Sequence, residues 1–189
     1  MIISVIKTRK VLPPKDNLWE ILSTIPLLKE NTVVAIASKI ISICEGRCVP
    51  IKNFKQKDEL VKKEAEKYLP RELVPNSWVM HTITNNILMP SAGIDESNGN
   101  GYFILWPKNP AKTVQKIWKF LRKKYGVRNL GIVITDSHSI PLRRGLVGIS
   151  LAHFGFQPLR DYREKEDLFG RKLHFSMTNM ADSLAAAAV

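Results

Sequence analysis

Residues 130–137 read Leu-Gly-Ile-Val-Ile-Thr-Asp-Ser, and the first six of them have an unambiguous strand pattern. Residues 130–135 carry no charge and are rich in β-branched side chains, which predicts a strand buried in the middle of a sheet. Asp136 and Ser137 follow where the predicted strand ends. Because open α/β sheets place ligands at the carboxyl ends of their strands, this position predicts a site for a hard cation such as Mg²⁺ or Mn²⁺.

Strand and helix patterns alternate along the rest of the chain, which predicts a mixed α/β fold. The strand at 32–37 is apolar throughout, and we expect it in the interior of the sheet. The predicted strands are 2–7, 32–37, 49–51, 78–84, 87–89, 102–106 and 147–154. The predicted helices are 18–25, 38–44, 58–68, 110–125 and 176–189.

We expect one domain over residues 1–189, because no repeat or flexible linker divides the chain. The last predicted helix is Ala-rich and has no stop signal before Val189. A helix end usually has such a signal, so we also expect that a C-terminal segment is missing.

The net charge of +12 is compatible with nucleic acid, a membrane surface or anionic small molecules as partners. Much of this charge lies on the predicted helix 110–125. The charged side chains there are Lys112, Lys116, Lys119, Arg122, Lys123 and Lys124. We favour a solvated helix face over a nucleic-acid-binding module, because Trp118 falls on the apolar stripe and forms no stacking platform.

The two cysteines, Cys44 and Cys48, lack zinc-finger spacing, and the four histidines are scattered. These patterns predict reduced thiols and no zinc site. No apolar run approaches the ~20 residues of a membrane-spanning helix, and the N-terminus lacks a signal-peptide pattern. We therefore expect a cytoplasmic protein with no membrane contact.

Two other turns carry side chains that suit metal or phosphate. Residues 93–98 form a Gly-containing turn with Asp95 and Asn98, although an Asx turn is the alternative interpretation. We expect this turn and the acidic turn at 134–137, far apart in sequence, to form one metal and phosphate site. Ala37-Ser38-Lys39 lies where a strand runs into a helix, and a helix N-terminus favours phosphate. Taken alone, this motif favours a simple Ser cap with an exposed Lys. No Walker motif is present, which excludes a P-loop ATPase.

The residues after Asp136 leave several roles open. His138 is a candidate base or phosphate contact, and a bystander role is equally open. Arg143 and Arg144 suit a phosphate or carboxylate. A Ser137-His138-Asp136 triad is rejected, because adjacent residues point in different directions and no nucleophile elbow is present.

A set of short motifs runs in order along nearly the whole chain. The motifs are Ser38-Lys39 followed by Glu45-Gly46-Arg47; Ala-Gly-Ile-Asp-Glu-Ser-Asn at 92–98; Thr135-Asp136-Ser137 with Pro141, Arg143 and Gly145; Pro-Leu-Arg-Asp at 158–161; Asp167; Phe169-Gly170-Arg171; and Ala-Asp-Ser-Leu-Ala-Ala-Ala at 181–187. The ordered set resembles the coenzyme F-420-0:L-glutamate ligase family, the γ-glutamyl ligases of a deazaflavin coenzyme. The resemblance implies a mixed α/β fold that forms an intertwined, butterfly-shaped homodimer.

The resemblance also implies a reaction. GTP would activate a carboxylate of the deazaflavin phosphodiester acceptor as an acyl phosphate, and the amine of L-glutamate would attack it. Two divalent cations, Mg²⁺ or Mn²⁺, and a monovalent cation such as K⁺ would assist. The implied metal ligands are Asp95, Asp136 and Ser137, and the implied nucleotide contacts are Ser38, Lys39 and Asn98. No catalytic side chain is assigned.

The chain departs from the family pattern at several places. Ile43 replaces a Lys, residues 8–11 replace a Gly-Leu-Pro nucleotide loop, and Ser139-Ile140 replaces a Gly-Arg pair. The Gly-rich segment that follows the Ala-rich helix in the family would lie after Val189. These departures leave open a different carboxylate acceptor or a non-catalytic nucleotide-binding homologue.

Overall fold

The structure is a computed structural model that describes residues 2–53, 55–140 and 142–189, so Pro141 of the predicted loop motif lies outside the described residues. It confirms the mixed α/β class. The helices are α1 (Leu18–Ser23), α2 (Ser38–Cys44), α3 (Lys55–Glu64), α4 (Pro110–Tyr125) and α5 (Met180–Ala188). The strands are β1 (Thr32–Ala37), β2 (Cys48–Pro50), β3 (Lys67–Leu69), β4 (His81–Thr84), β5 (Ile87–Pro90), β6 (Tyr102–Ile104), β7 (Leu130–Ser139), β8 (Leu146–Phe154), β9 (Leu159–Asp161) and β10 (Met177–Asn179).

The predicted central strand is confirmed, because β7 lies between β1 and β8 in a three-stranded sheet. β1 pairs with it in parallel, and Ala37 at the end of β1 lies opposite Thr135. β8 pairs antiparallel on the other side, with a register shift between Ile134 and Thr135. The prediction for β1 was wrong, since it forms the edge of this sheet among the described strands. Its Ala35 and Ala37 are exposed while Val34 and Ile36 are buried, and small apolar alanines hide this alternation in the sequence.

One hydrophobic cluster joins α1, α2 and α4 to the central sheet. The predicted ends of α4 are confirmed: Asn109 Oδ1 accepts a hydrogen bond from the Lys112 amide, and Gly126 ends the helix at φ 67. Each large side chain buried here contributes roughly 1.5–3 kcal/mol. The cluster includes Val114, Ile117, Leu121, Leu130, Ile132 and Ile134.

A second hydrophobic cluster forms between α3 and the segments around β4, β5 and β6. β4 and β5 form the predicted hairpin, with Asn85 and Asn86 at φ 51 and 60. The left-handed conformation at both positions is the one that a two-residue hairpin turn requires. Ile94 belongs to this cluster, so the packing anchors the turn that carries Asp95.

Three further element predictions were wrong. Residues 2–7 form no strand, α3 ends at Glu64 instead of continuing to Tyr68, and α5 begins at Met180. Residues 67–69 instead pair with β4, and residues 177–179 with β9, so tertiary pairing overrides local helical patterns. Within the described part of the chain, no helix is both long and apolar enough to cross a membrane.

Candidate active site

Asp95 is held in place by its backbone. Its amide donates to the Ile104 carbonyl at 3.0 Å, and the Ile104 amide donates back to the Asp95 carbonyl at 2.7 Å. Just before it, Ala92 and Gly93 have φ values of 51 and 71, which turns the chain sharply out of β5. The turn therefore presents the Asp95 side chain beside β6.

The sequence predicted that Asp136 follows the end of the strand, but Asp136 lies inside β7. The strand continues to Ser139 because β8 pairs with it through this region, with Asp136 opposite Ile149. β1, however, ends at Ala37 opposite Thr135. Asp136 is thus the first residue of β7 beyond the parallel pairing, at the open end of β1.

Asp95 and Asp136, far apart in sequence, both line one small cleft. Of the six site residues predicted from the sequence, Ser38, Lys39, Asp95 and Asp136 line it. The remaining lining residues are Ser42, Gly93, Ile104, Leu105 and Trp106. Asn98 and Ser137 lie nearby in sequence but are not part of this lining.

The Asp95 carboxylate already has a cationic partner. Lys39 Nζ lies 2.6 Å from Asp95 Oδ2 and also donates to the Ser97 carbonyl and hydroxyl oxygens, both at 2.8 Å. The Ser97 amide donates to Asp95 Oδ1 at 2.8 Å. Burial works to raise the pKa of Asp95, but the hydrogen bonds from Lys39 and Ser97 outweigh it and hold the pKa below its ordinary value. The carboxylate is therefore ionised at neutral pH.

The Asp136 carboxylate has neutral partners instead. Trp106 Nε1 donates to Oδ2 at 2.5 Å, and the Ser137 amide donates to Oδ1 at 2.9 Å. Burial raises the pKa of Asp136 above its ordinary value; the hydrogen bond from Trp106 opposes this rise, and the nearby charge of Asp95 adds to it. A cation placed between the two carboxylates would stabilise the ionised form of Asp136.

Ser38 is the first residue of α2 and is 4% exposed, but it is not the helix cap. Ala37 occupies the cap position and makes no side-chain cap bond, so the predicted Ser cap was wrong. The Ser38 hydroxyl is thereby left available to the cleft. Asn98 lies on the exposed part of its turn at φ 57.

The remaining predicted candidates lie elsewhere. Arg143 and Arg144 are exposed on the turn after β7, and His138 pairs with Val147 of β8. His138 Nδ1 is buried with no hydrogen-bond partner among the described residues. Ile43, where the family pattern has a Lys, is 3% exposed and belongs to the interior of the protein.

Sequence reasoning missed Ser42 and Trp106. Ser42 is 1% exposed, and its hydroxyl has no hydrogen-bond partner in the part of the chain that the structure describes. The signal for it was its position four residues after Ser38, which places both hydroxyls on one helix face. Trp106 meets Asp136 across 30 residues of sequence, and no local pattern reports such a contact.

The donor set fits a hard divalent cation. Two carboxylates line one cleft together with Ser42, whose hydroxyl has no hydrogen-bond partner among the described residues. The Lys39 ammonium shows that positive charge is accommodated there. Within the described residues, no group of three or more His, Cys, Asp or Glu side chains could hold a metal. Mg²⁺ typically takes one or two carboxylates and completes its shell with water and substrate phosphates. The donor set therefore suits a small cation, and the cleft itself, with a volume of about 10 Å³, has room for about one water-sized group.

The Glu45-Gly46-Arg47 motif supports the cleft from outside. Glu45 accepts hydrogen bonds from the Lys108 amide and the Thr113 hydroxyl, which ties the end of α2 to the start of α4. Arg47 donates to the Trp106 carbonyl at 3.0 Å. A larger cleft of about 500 Å³, lined by Asp16, Trp19 and Cys44 among others, opens beside Glu45 and contains neither Asp95 nor Asp136.

Comparisons with known proteins show which proteins the chain is similar to. The family model described as F420-0:Gamma-glutamyl ligase matches residues 6–189. The chain is 30% identical to the coenzyme F420:L-glutamate ligase of Methanopyrus kandleri over 192 residues, which covers 93% of this chain and 75% of the relative. It is 31% identical to the enzyme of the same name from Methanocaldococcus jannaschii, covering 91% of this chain and 74% of the relative.

Proposed function

The chain belongs to the F420-0:gamma-glutamyl ligase family of enzymes, and we propose that it forms a γ-glutamyl amide bond between L-glutamate and a deazaflavin phosphodiester acceptor, with GTP as co-substrate. The family match over residues 6–189 supports the ligase chemistry. The proposal includes Mg²⁺ or Mn²⁺ at the cleft and an acyl-phosphate intermediate.

The observation that carries the proposal is the meeting of Asp95 and Asp136 at one cleft with Lys39. Phosphoryl transfer depends on positioning and on neutralising the charge of the transferred group. Two carboxylates can hold divalent cations, and a lysine supplies a further positive charge. These are the parts that a GTP-dependent ligase needs at its phosphate site.

In the proposed reaction, the acceptor carboxylate attacks the γ-phosphorus of GTP, and GDP leaves. The glutamate amine then attacks the acyl carbon, phosphate leaves, and the amine loses a proton to form the amide. Asp95 and Asp136 would hold the divalent cation, which when bound neutralises phosphate charge and aligns the reactants.

The residues of the chain supply the rest of the site. Lys39, once it leaves Asp95, would pair with a phosphate oxygen. The Ser38 hydroxyl at the start of α2 is placed to donate to the nucleotide. Asn98 would contact the nucleotide, and Ser137 would bind a second divalent cation. We further propose that the chain folds as a single domain and forms a homodimer. A K⁺ ion would assist the reaction, which we propose takes place in the cytoplasm, where GTP is available.

The test incubates the protein with GTP, Mn²⁺, L-glutamate and the deazaflavin acceptor, and measures GDP and the glutamylated product by mass spectrometry. We expect product that depends on all four components and is lost in Asp136→Asn. Glu59→Gln removes an exposed carboxylate of α3, whose one ion pair among the described residues is with Lys62, and should leave turnover unchanged. If GDP is released only with a different carboxylic acid, the protein is still a ligase but acts on another acceptor. No GDP release with any acid would overturn the proposal.

A further inference from the structure

We propose that Trp106 is a positioning residue that orients the Asp136 carboxylate for cation binding. The inference rests on the proposed function, because it assumes that Asp136 binds a divalent cation. Trp106 would not touch the cation itself, since the indole N–H is a donor with no lone pair to offer a metal.

The contact fixes the orientation of the carboxylate. Trp106 Nε1 donates to Asp136 Oδ2 at 2.5 Å, while the Ser137 amide donates to Oδ1 at 2.9 Å. Each oxygen accepts one hydrogen bond from the described residues, so two donors on different parts of the chain set the plane of the carboxylate. The remaining lone pairs stay available for a ligand. Fixed outer partners of this kind orient metal ligands in proteins generally.

Trp106 is itself held on several sides. It is 6% exposed, and its ring lies so close to Gly93 that a Cβ atom there would be 2.2 Å from Trp106 Nε1 and Cε2. Its carbonyl accepts a hydrogen bond from Arg47 Nε at 3.0 Å. Arg47 in turn forms an ion pair with Glu64 of α3 at 2.5 Å. The backbone of Trp106 is therefore anchored through Arg47, and its indole is enclosed in the wall of the cleft beside Gly93.

A neutral donor suits this role better than a charged one. Asp95 is paired with the Lys39 ammonium, which must leave before a cation can replace it. The indole supplies Asp136 with a hydrogen bond but no positive charge. The carboxylate is thus oriented by a partner that brings no positive charge to repel a cation. The two carboxylates of the cleft are prepared in different ways, one by an exchangeable cation and one by a fixed neutral donor.

The chain offers a matched control for this role. Trp118 is also largely buried, and its Nε1 donates to the Leu130 carbonyl at 2.7 Å, away from the cleft. Trp106→Phe and Trp118→Phe each remove one indole N–H and a similar volume. Mn²⁺ binding, followed by electron paramagnetic resonance with the metal and GTP but no acceptor, should weaken about 10- to 100-fold in Trp106→Phe. It should stay unchanged in Trp118→Phe.

A second measurement keeps Trp106 in place and therefore does not depend on the stability of Trp106→Phe. The chain has four tryptophans, whose indole N–H signals can be resolved by NMR after ¹⁵N labelling. The Trp106 signal should move in Asp136→Asn and on addition of Mg²⁺, while the Trp118 signal stays in place. A Trp106 signal indifferent to Asp136→Asn, or equal Mn²⁺ affinity in Trp106→Phe and wild type, would overturn the inference and leave the proposed function standing. A wild-type protein that binds no Mn²⁺ would overturn the metal site, and the inference with it.

Discussion

Lys39 and Asp95 form an ion pair, with 2.6 Å between Nζ and Oδ2, in the same cleft that contains Asp136. The pair joins the start of α2 to the turn after β5, and Ser97 contributes two further acceptor oxygens to the ammonium. Lys39 therefore occupies the carboxylate that a divalent cation would bind. Binding of the cation and release of Lys39 toward a phosphate are expected to be one exchange.

Lys39→Met should strengthen Mn²⁺ binding in the absence of nucleotide, because no ammonium has to be displaced. The gain is expected to be up to about fivefold, since a partly exposed ion pair contributes about 0–1 kcal/mol. The same variant should bind GTP more weakly, as the phosphate loses a cationic contact. Titration of Mn²⁺ and of GTP separately measures both effects.

Lys57→Met is the matched control for Lys39. Lys57 pairs with Glu96, the neighbour of Asp95, at 3.2 Å. Lys57→Met removes an ion pair on the same turn but not at the cleft, so the affinities for Mn²⁺ and for GTP should both stay as in the wild type. Weaker Mn²⁺ binding in Lys39→Met would contradict the exchange.

Ser42→Ala should leave the protein at least as stable as the wild type while weakening Mn²⁺ and GTP binding together. The Ser42 hydroxyl is buried without a partner in the described part of the chain, and an unpaired buried polar group costs about 1–3 kcal/mol. Thr82→Val is the contrasting variant, because the Thr82 hydroxyl donates to the Met89 carbonyl and accepts from the Ala92 amide. It should destabilise by about 1–3 kcal/mol in urea unfolding. A similar loss of stability in Ser42→Ala would show that its hydroxyl is already satisfied.

Gly93→Ala should destabilise the protein more than Gly126→Ala and should weaken Mn²⁺ binding. Both glycines have positive φ, at 71 and 67, so both variants lose roughly 1–2 kcal/mol from backbone strain. A Cβ at Gly93 would also meet the Trp106 ring at 2.2 Å, whereas nothing lies within 4 Å of one at Gly126. The difference between the two thermal unfolding curves isolates this clash. Equal effects would mean that the Trp106 ring can move freely.

Cys44 should resist alkylation in the folded protein. Burial, with the nearby charge of Asp16 as a smaller cause, raises the pKa of its thiol to about 12. The reactive thiolate is then scarce at pH 8, and labelling by iodoacetamide should be about 100-fold or more slower than in urea. Peptide mapping of the labelled protein gives the rate at Cys44. Equal rates in the folded and unfolded states would contradict the burial of this thiol.

Local patterns predicted the elements whose signals are complete within a few residues. Asn109, Pro110 and Gly126 define the ends of α4, and Asn85-Asn86 defines the turn of a hairpin, because capping and turn chemistry act between near neighbours. These end and turn features depend little on the rest of the fold. The apolar run of β7 also predicted its central position, whereas the same argument failed for β1, which forms the edge of the sheet among the described strands.

The features that depend on distant partners could not be read in the same way. Asp136 was expected at the end of a strand, but pairing with β8 carries β7 on to Ser139. Residues 67–69 continue a helical pattern in the sequence and pair instead with β4. The meeting of Asp95 with Asp136 was expected from paired ligand types, whereas the contact of Trp106 with Asp136 has no counterpart in local sequence.

Calorimetric titration of GTP tests the shared cation site of Asp95 and Asp136 most directly. GTP is titrated into the wild type, Asp95→Asn, Asp136→Asn and Glu59→Gln, each with and without Mn²⁺. If Asp95 and Asp136 together hold the cation that binds the nucleotide phosphates, Mn²⁺ should strengthen GTP binding at least about tenfold in the wild type and in Glu59→Gln. This enhancement should disappear in both aspartate variants. An enhancement that survives intact in Asp136→Asn would contradict the account.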